Sequence, residues 1–318
     1  MRKEEDNMRR FRFSEVIIFI ELTLFPVSSV ALCGGWSSSM KKKDSKTKHC
    51  IRAYVFILAT SMLWVTIATP CYAEETVFRD LARKMQNPVS DRISFSFEDK
   101  INFGVGLNND VQNILNIKSL YSFNLGDNWN LINRTIVPVV DQPELVPGSG
   151  DQFGLGDISS TFFLMPRSSR FAIFGIGPTV SFPTATDEAL GTRKWGVGPA
   201  AVAVIMPGRW VIGALVANLW SVGGDSNRKD INSMTIQPFV FYNFPNGWYI
   251  VSSPIIRAVW TSDSDDRWIV PLGGGVGNIF EIGKQKMNAS VQAFYNVEKP
   301  EPVADWSLRL QLQFLFPK

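Results

Sequence analysis

Eight charged residues, Glu98, Lys100, Lys118, Arg134, Asp157, Arg257, Glu281 and Arg309, interrupt runs that are otherwise apolar or neutral. A charge in such a place can steer or bind a solute in a polar interior, or it can pair with another charge and only fill space. None of the eight can serve a nucleophile–histidine system. Cys33, Cys50 and Cys71, the only cysteines, and His49, the only histidine, all precede residue 74. If that leader is removed, the remaining chain has no thiolate and no imidazole. Disulfides, a Ser-His-Asp triad and His- or Cys-based metal sites are then excluded, and only carboxylate chemistry is left. The expectation is therefore no enzyme, no metal and no cofactor.

The element that shows how such charges are held is the last one. Trp306, Leu308, Leu310, Leu312, Phe314 and Phe316 alternate with Ser307, Arg309, Gln311, Gln313 and Leu315. A period of two is a strand with one apolar and one polar face, broken only by Leu315. An apolar face this long, aromatic at both ends, suits a strand with lipid on one side and water or polar side chains on the other.

The chain ahead of residue 74 reads as an address. The apolar run 53–68 follows Met40, Lys41, Lys42, Lys43, Lys46 and Lys48 and ends at Cys71-Tyr72-Ala73. A basic start, a short apolar centre and a small-residue exit make a secretory signal, with cleavage after Ala73. Residues 1–39 read as an extension ahead of a true start at Met40, 40–73 as the signal, 74–92 as a short amphipathic helix and lead-in, and 93–318 as the barrel. The alternative for this run and the earlier one from Val16 to Leu32 is a pair of membrane helices, for which both are short. The net charge of +3 arises in the leader; beyond it acids slightly outnumber bases, so nothing favours nucleic acid.

Val77, Phe78, Leu81, Ala82 and Met85 recur at helical spacing and Pro88 ends the pattern, as for a helix packed on a barrel rim or a plug within it. From Ile93 onward the chain divides into about twelve strands: 93–105, 111–125, 129–141, 153–166, 171–183, 195–206, 210–222, 231–244, 248–261, 267–282, 286–298 and 305–316. Short connections such as Gly126-Asp127-Asn128 and Gly283-Lys284-Gln285 alternate with longer ones such as 142–152 and 184–194. That alternation matches periplasmic turns and external loops, with both termini in the periplasm. Trp129, Trp210 and Trp248 follow short turns, whereas Trp195, Trp220, Trp260, Trp268 and Trp306 lie beside the longer connections, as two aromatic girdles require. The fold class is thus all-β: a transmembrane up-and-down antiparallel barrel in the bacterial outer membrane, surrounded by lipid.

Alternation also turns the eight charges inward, because charge on the lipid face is costly. With Phe239, Phe241, Tyr249 and Phe294 they form a mixed interior suited to small, partly apolar or aromatic solutes. Asp99 would turn to lipid, and a bulge or strand end is expected there. Pro138, Pro178, Pro199, Pro238, Pro254 and Pro271 fall in six different strands. They predict either local bulges or a band of kinks that weakens the outer half of the wall.

Phe153-Gly154-Leu155-Gly156-Asp157-Ile158, Pro183-Thr184-Ala185-Thr186-Asp187, Gly191-Thr192, Trp195-Gly196-Val197-Gly198-Pro199 and the stretch 311–318 resemble the phenol-degradation meta-pathway family of outer-membrane barrels, often labelled transporters. The resemblance implies a role in passive uptake of hydrophobic or aromatic molecules, delivery by the barrel-assembly machinery and no catalytic residues. Phe316 is followed by Pro317 and Lys318, whereas assembly signals usually end on the aromatic residue. A plugged or structural barrel, and an outer-membrane lipid hydrolase, are the alternatives.

Overall fold

The computed structural model describes residues 81–82, 85–90, 92–106, 108–145, 148–167, 172–301 and 303–316. The signal, the leader, the start of the expected helix, Pro317 and Lys318 lie outside these residues. The strands are β1 (Ile93–Val105), β2 (Asp110–Leu125), β3 (Trp129–Gln142), β4 (Gln152–Leu155), β5 (Ser159–Pro166), β6 (Ile173–Ser181), β7 (Lys194–Ile205), β8 (Trp210–Gly224), β9 (Asn232–Asn243), β10 (Trp248–Ser252), β11 (Ile256–Val259), β12 (Trp268–Ile282), β13 (Gln285–Glu298) and β14 (Trp306–Phe316).

Each strand pairs antiparallel with its chain neighbours, and β1 closes the ring on β14, from Ile93 opposite Phe316 to Phe103 opposite Trp306. The fourteen segments make a closed barrel of twelve strands, because two of those strands are interrupted. β4 and β5 share the partner β3, with a one-residue slip at Gly156-Asp157-Ile158. β10 and β11 lie end to end between β9 and β12. Closure leaves no free edge, which is what backbone amides in hydrocarbon demand. Two-residue chemistry closes the tightest hairpin: Gly283, at φ 62°, lets Ile282 pair with Gln285.

The apolar outer face follows from alternation. Trp129, Trp210, Trp248 and Phe316 are exposed at the short-turn end, and Trp195, Trp220, Trp260 and Trp306 at the other. Paired rings knit each girdle: Trp306 stacks on Phe103 at 3.9 Å, and Trp260 meets Trp268 edge-on at 5.7 Å. Asp99 departs from expectation. It pairs in regular register with Leu310 and Leu115, and the bulge falls later, between Phe103 and Val105. Asp99 therefore does stand on the outer face, near Asn113, and its neighbours cover it to 6% exposure.

Candidate functional site

The interior has two halves. Inward residues of β3 to β9 are largely apolar, with Arg134, Thr161, Thr179 and Gln237 among the exceptions: Ile132, Phe163, Val202, Val211, Leu215 and Phe239 form one buried cluster with Val89. Inward residues of β13, β14, β1 and β2 are polar: Asn288, Gln292, Arg309, Ser94, Ser96 and Glu98 are all buried. The division is written in the alternation, since the inward positions of β7 and β8 are Gly, Ala, Val and Leu, and those of β14 are Ser, Arg and Gln.

The segment ahead of β1 closes the short-turn end. Leu81, Ala82, Met85 and Gln86 are helical, and Leu81, Ala82 and Met85 pack on Tyr249, Val251, Ile279 and Leu315. Leu315 is the one residue that broke the alternation of β14. It points inward and completes the apolar seat of this segment. The seat is locked by two reciprocal amide bonds: Gln86 Nε2 donates to Asn243 Oδ1 at 2.7 Å, and Asn243 Nδ2 donates to Gln86 Oε1 at 2.9 Å. An exclusively apolar contact would leave rotation about the segment free; the paired amides fix it.

Beyond the segment lies a partly open cavity of about 130 Å³, lined by Met85 to Pro88 on one side and by Glu98, Lys118, Arg134, Phe239, Phe241, Tyr249, Ser253, Gln292, Arg309 and other wall residues. Lys118 Nζ lies 2.6 Å from Glu98 Oε2. Arg309 donates through Nη1 to the Ser253 carbonyl at 2.8 Å and lies over the Phe294 ring at 4.7 Å. Tyr249 donates its hydroxyl to Asn288 Oδ1 at 2.6 Å, so this buried ring has its polar end satisfied.

Seven of the residues singled out from sequence, Glu98, Lys118, Arg134, Phe239, Phe241, Tyr249 and Arg309, thus come together on this cavity. Phe294 sits behind Arg309. Lys100 is opposite Arg309 in the sheet, on the long-loop side. Arg257 is exposed nearer the external mouth, and Glu281 is exposed at the short-turn rim. Asp157 does something else. It sits at the break between β4 and β5, and accepts hydrogen bonds from the Ala185 amide at 3.2 Å and from the Thr192 amide and hydroxyl at 2.7 Å. Thr184 and Thr186 bond back to Ile158 and Leu155. The glycine- and threonine-rich motifs around Asp157 therefore tie the loop between β6 and β7 to the wall.

The wall itself is broken beside the cavity. Ser253, Pro254 and Ile255 make no ladder bonds, although the register is the same above and below: Ser252 faces Val240 and Ile256 faces Ile236 on β9. That register sets Pro254 opposite Pro238, and on the other flank sets Ile255 opposite Pro271. Three prolines on adjacent segments remove three amide donors at one place. The freed carbonyls find side chains instead: Arg309 takes that of Ser253, and Ser252 Oγ takes that of Gly273 at 2.7 Å. Beside the break, over the paired residues Ile250 to Ser252, the outer face carries an apolar hollow of about 460 Å³ framed also by Trp210, Tyr242 and Gly274. Against the two expectations for the prolines, local bulges or a band of kinks, the structure has a register shift between Val270 and Pro271, and Pro238, Pro254 and Pro271 meet at one gap near mid-strand. Pro178 and Pro199, which face each other, keep their place in the β6–β7 ladder. Alternation turns Ser253 and Gln292 inward, but sequence reasoning did not single them out as site residues, since neutral polar residues carry no signal of their own.

No family model and no curated protein matches the chain. Among solved structures, the COG4313 outer membrane channel from Pseudomonas putida F1 superposes with a TM-score of 0.55 at 18% identity, covering 71% of this chain and 96% of that one. The outer membrane phospholipase A from Escherichia coli gives a TM-score of 0.40 at 12% identity over 77% of this chain and 98% of that one. The Pseudomonas putida toluene transporter TodX gives 0.35 at 8% over 74% and 92%. The first likeness establishes a shared outer-membrane barrel fold; the other two superpose too loosely to add to it.

Proposed function

We propose that this barrel, of the phenol-degradation meta-pathway type, is a passive outer-membrane conduit for small apolar or aromatic molecules that leave the lumen sideways. Lipid surrounds its girdled wall, and the barrel-assembly machinery inserts it. The observation that carries the reading is the wall at Ser252-Ser253. Ser253 lines the inner cavity and Ser252, the last residue of β10 paired with β9, lines the outer hollow, so two consecutive residues separate lumen from lipid at the edge of the gap in the ladder. The seat of residues 81–90 supports the sideways route, because it fills the straight path to the periplasm. An apolar solute would move from a half-apolar cavity to an apolar hollow and then to the bilayer, its hydrophobic surface covered throughout.

Backbone hydrogen exchange tests the weak wall. Amides at Ser253 and Ile255 are expected to exchange at least about tenfold faster than those of Trp248 to Val251, since no ladder protects them. Uniform slow exchange from 248 to 259 contradicts the sideways route. The plugged binding barrel is the second reading, favoured by the Gln86–Asn243 lock. It predicts uptake of an apolar probe into the cavity but no passage into proteoliposomes.

A further inference from the structure

The ionisable groups on the cavity do not balance. Lys118, Arg134 and Arg309 face a single carboxylate, Glu98, an excess of two positive charges among the described residues. Glu98 is already engaged by Lys118 at 2.6 Å. Arg309 is 3% exposed, its hydrogen-bond partners are the neutral carbonyl and hydroxyl of Ser253, and its Nε has no partner. Arg134 borders the cavity with no ion pair or hydrogen bond from the described side chains. Two guanidinia that share one carboxylate already engaged by a lysine are under-compensated, which is expensive within protein and more so in a barrel crossing a bilayer. An arrangement like this is complete only when an anion occupies it.

The rest of the lining says which kind. Phe239, Phe241 and Tyr249 form a continuous aromatic side of the same cavity, with ring centroids 6.1 and 5.7 Å apart. A planar carboxylate matches the fork of an arginine, and a ring or short chain matches the aromatic side. Building on the conduit reading, the geometry points to a small amphipathic carboxylate as the preferred occupant, its charge on Arg134 and Arg309 and its apolar body on Phe239, Phe241 and Tyr249. Neutral hydrocarbons enter the same space more weakly, because they leave the excess positive charge without an anion.

The test is equilibrium dialysis of labelled benzoate against the protein purified from outer membranes in a non-ionic detergent, with benzamide as the neutral probe of matching shape. Benzoate is expected to bind saturably and at least about tenfold more tightly than benzamide. Arg134→Met is expected to bring benzoate down to the level of benzamide, leave benzamide unchanged, and so report an intact cavity; Arg134→Lys is expected to keep part of the preference. If the methionine variant does not assemble, a salt series on the unaltered protein decides, since benzoate binding alone should weaken as chloride rises. Equal binding of the two probes, or a benzoate affinity indifferent to both Arg134→Met and salt, overturns the proposal. Benzoate binding with no passage of any ring-sized solute overturns the conduit reading and leaves this one standing. Passage of toluene without any preference for the carboxylate overturns this one alone.

Discussion

At the scale of the residue, inward and outward positions obey different rules, and Asp99 shows the cost of the exception. Its carboxyl stands on the outer face, buried among Leu310, Leu115 and Ile101 with one oxygen lacking a partner. Replacing it with a residue that suits the surroundings removes that burden. Asp99→Leu is expected to raise unfolding stability by about 1–2 kcal/mol, read as a higher urea midpoint in lipid vesicles with an unchanged slope. A lower midpoint would mean that the contact of Asp99 with Asn113 outweighs the cost of the buried carboxyl. Alternation gave the facing of Glu98, Lys118, Arg134 and Arg309 directly, because a two-residue period is a covalent property of strands. It could not foresee Asp157, whose role depends on a slip against β3 that only the paired register reveals.

At the scale of the element, the segment 81–90 and the loops at the opposite end hold the two mouths. Helical spacing made Leu81, Ala82 and Met85 recognisable as an apolar stripe, but rim and lumen present the same stripe, so its seat was not legible. What decided it was Leu315 facing inward and the amide pair of Gln86 and Asn243. Gln86→Ala leaves the buried Asn243 amide short of partners and frees the segment. Single-channel recordings are expected to show a several-fold higher open probability for ions than the unaltered protein; identical traces would mean that apolar packing alone holds the plug. At the external side, Lys194 Nζ lies 2.7 Å from Asp230 Oδ1, and Ser221 also donates to Asp230. The hydrogen bond from Lys194, seconded by that from Ser221, holds the Asp230 carboxyl below the usual carboxylate range. A carboxyl lowered on folding stabilises the fold above its unfolded value of about 3.9 and loses that effect as pH falls through its folded value. Protease nicking of the loop 225–231 is therefore expected to stay slow at neutral pH and to rise below about pH 4, with Asp230→Asn fast-nicked throughout. A nicking rate flat across that range in the unaltered protein would contradict the contact.

At the scale of the whole molecule, the strand count, the girdles and the closed ring were legible because a bilayer imposes them on any barrel through alternation, loop lengths and tryptophan placement. The gap in the wall was half legible. Pro238, Pro254 and Pro271 stand far apart in the sequence, and only the register of β9, β10, β11 and β12 brings them to one spot. The measurement that bears most directly on sideways release is a staple across that spot. Pro238→Cys and Pro254→Cys stand at opposite register positions on adjacent wall segments, as the pairing above and below them sets. The protein has no other cysteine beyond residue 74 to compete. Toluene entry into proteoliposomes containing the double variant is expected to fall about tenfold on oxidation and to recover on reduction, while ion current through the lumen stays unchanged. Equal toluene entry in the oxidised and reduced forms would contradict lateral release and return the barrel to a straight or a sealed lumen.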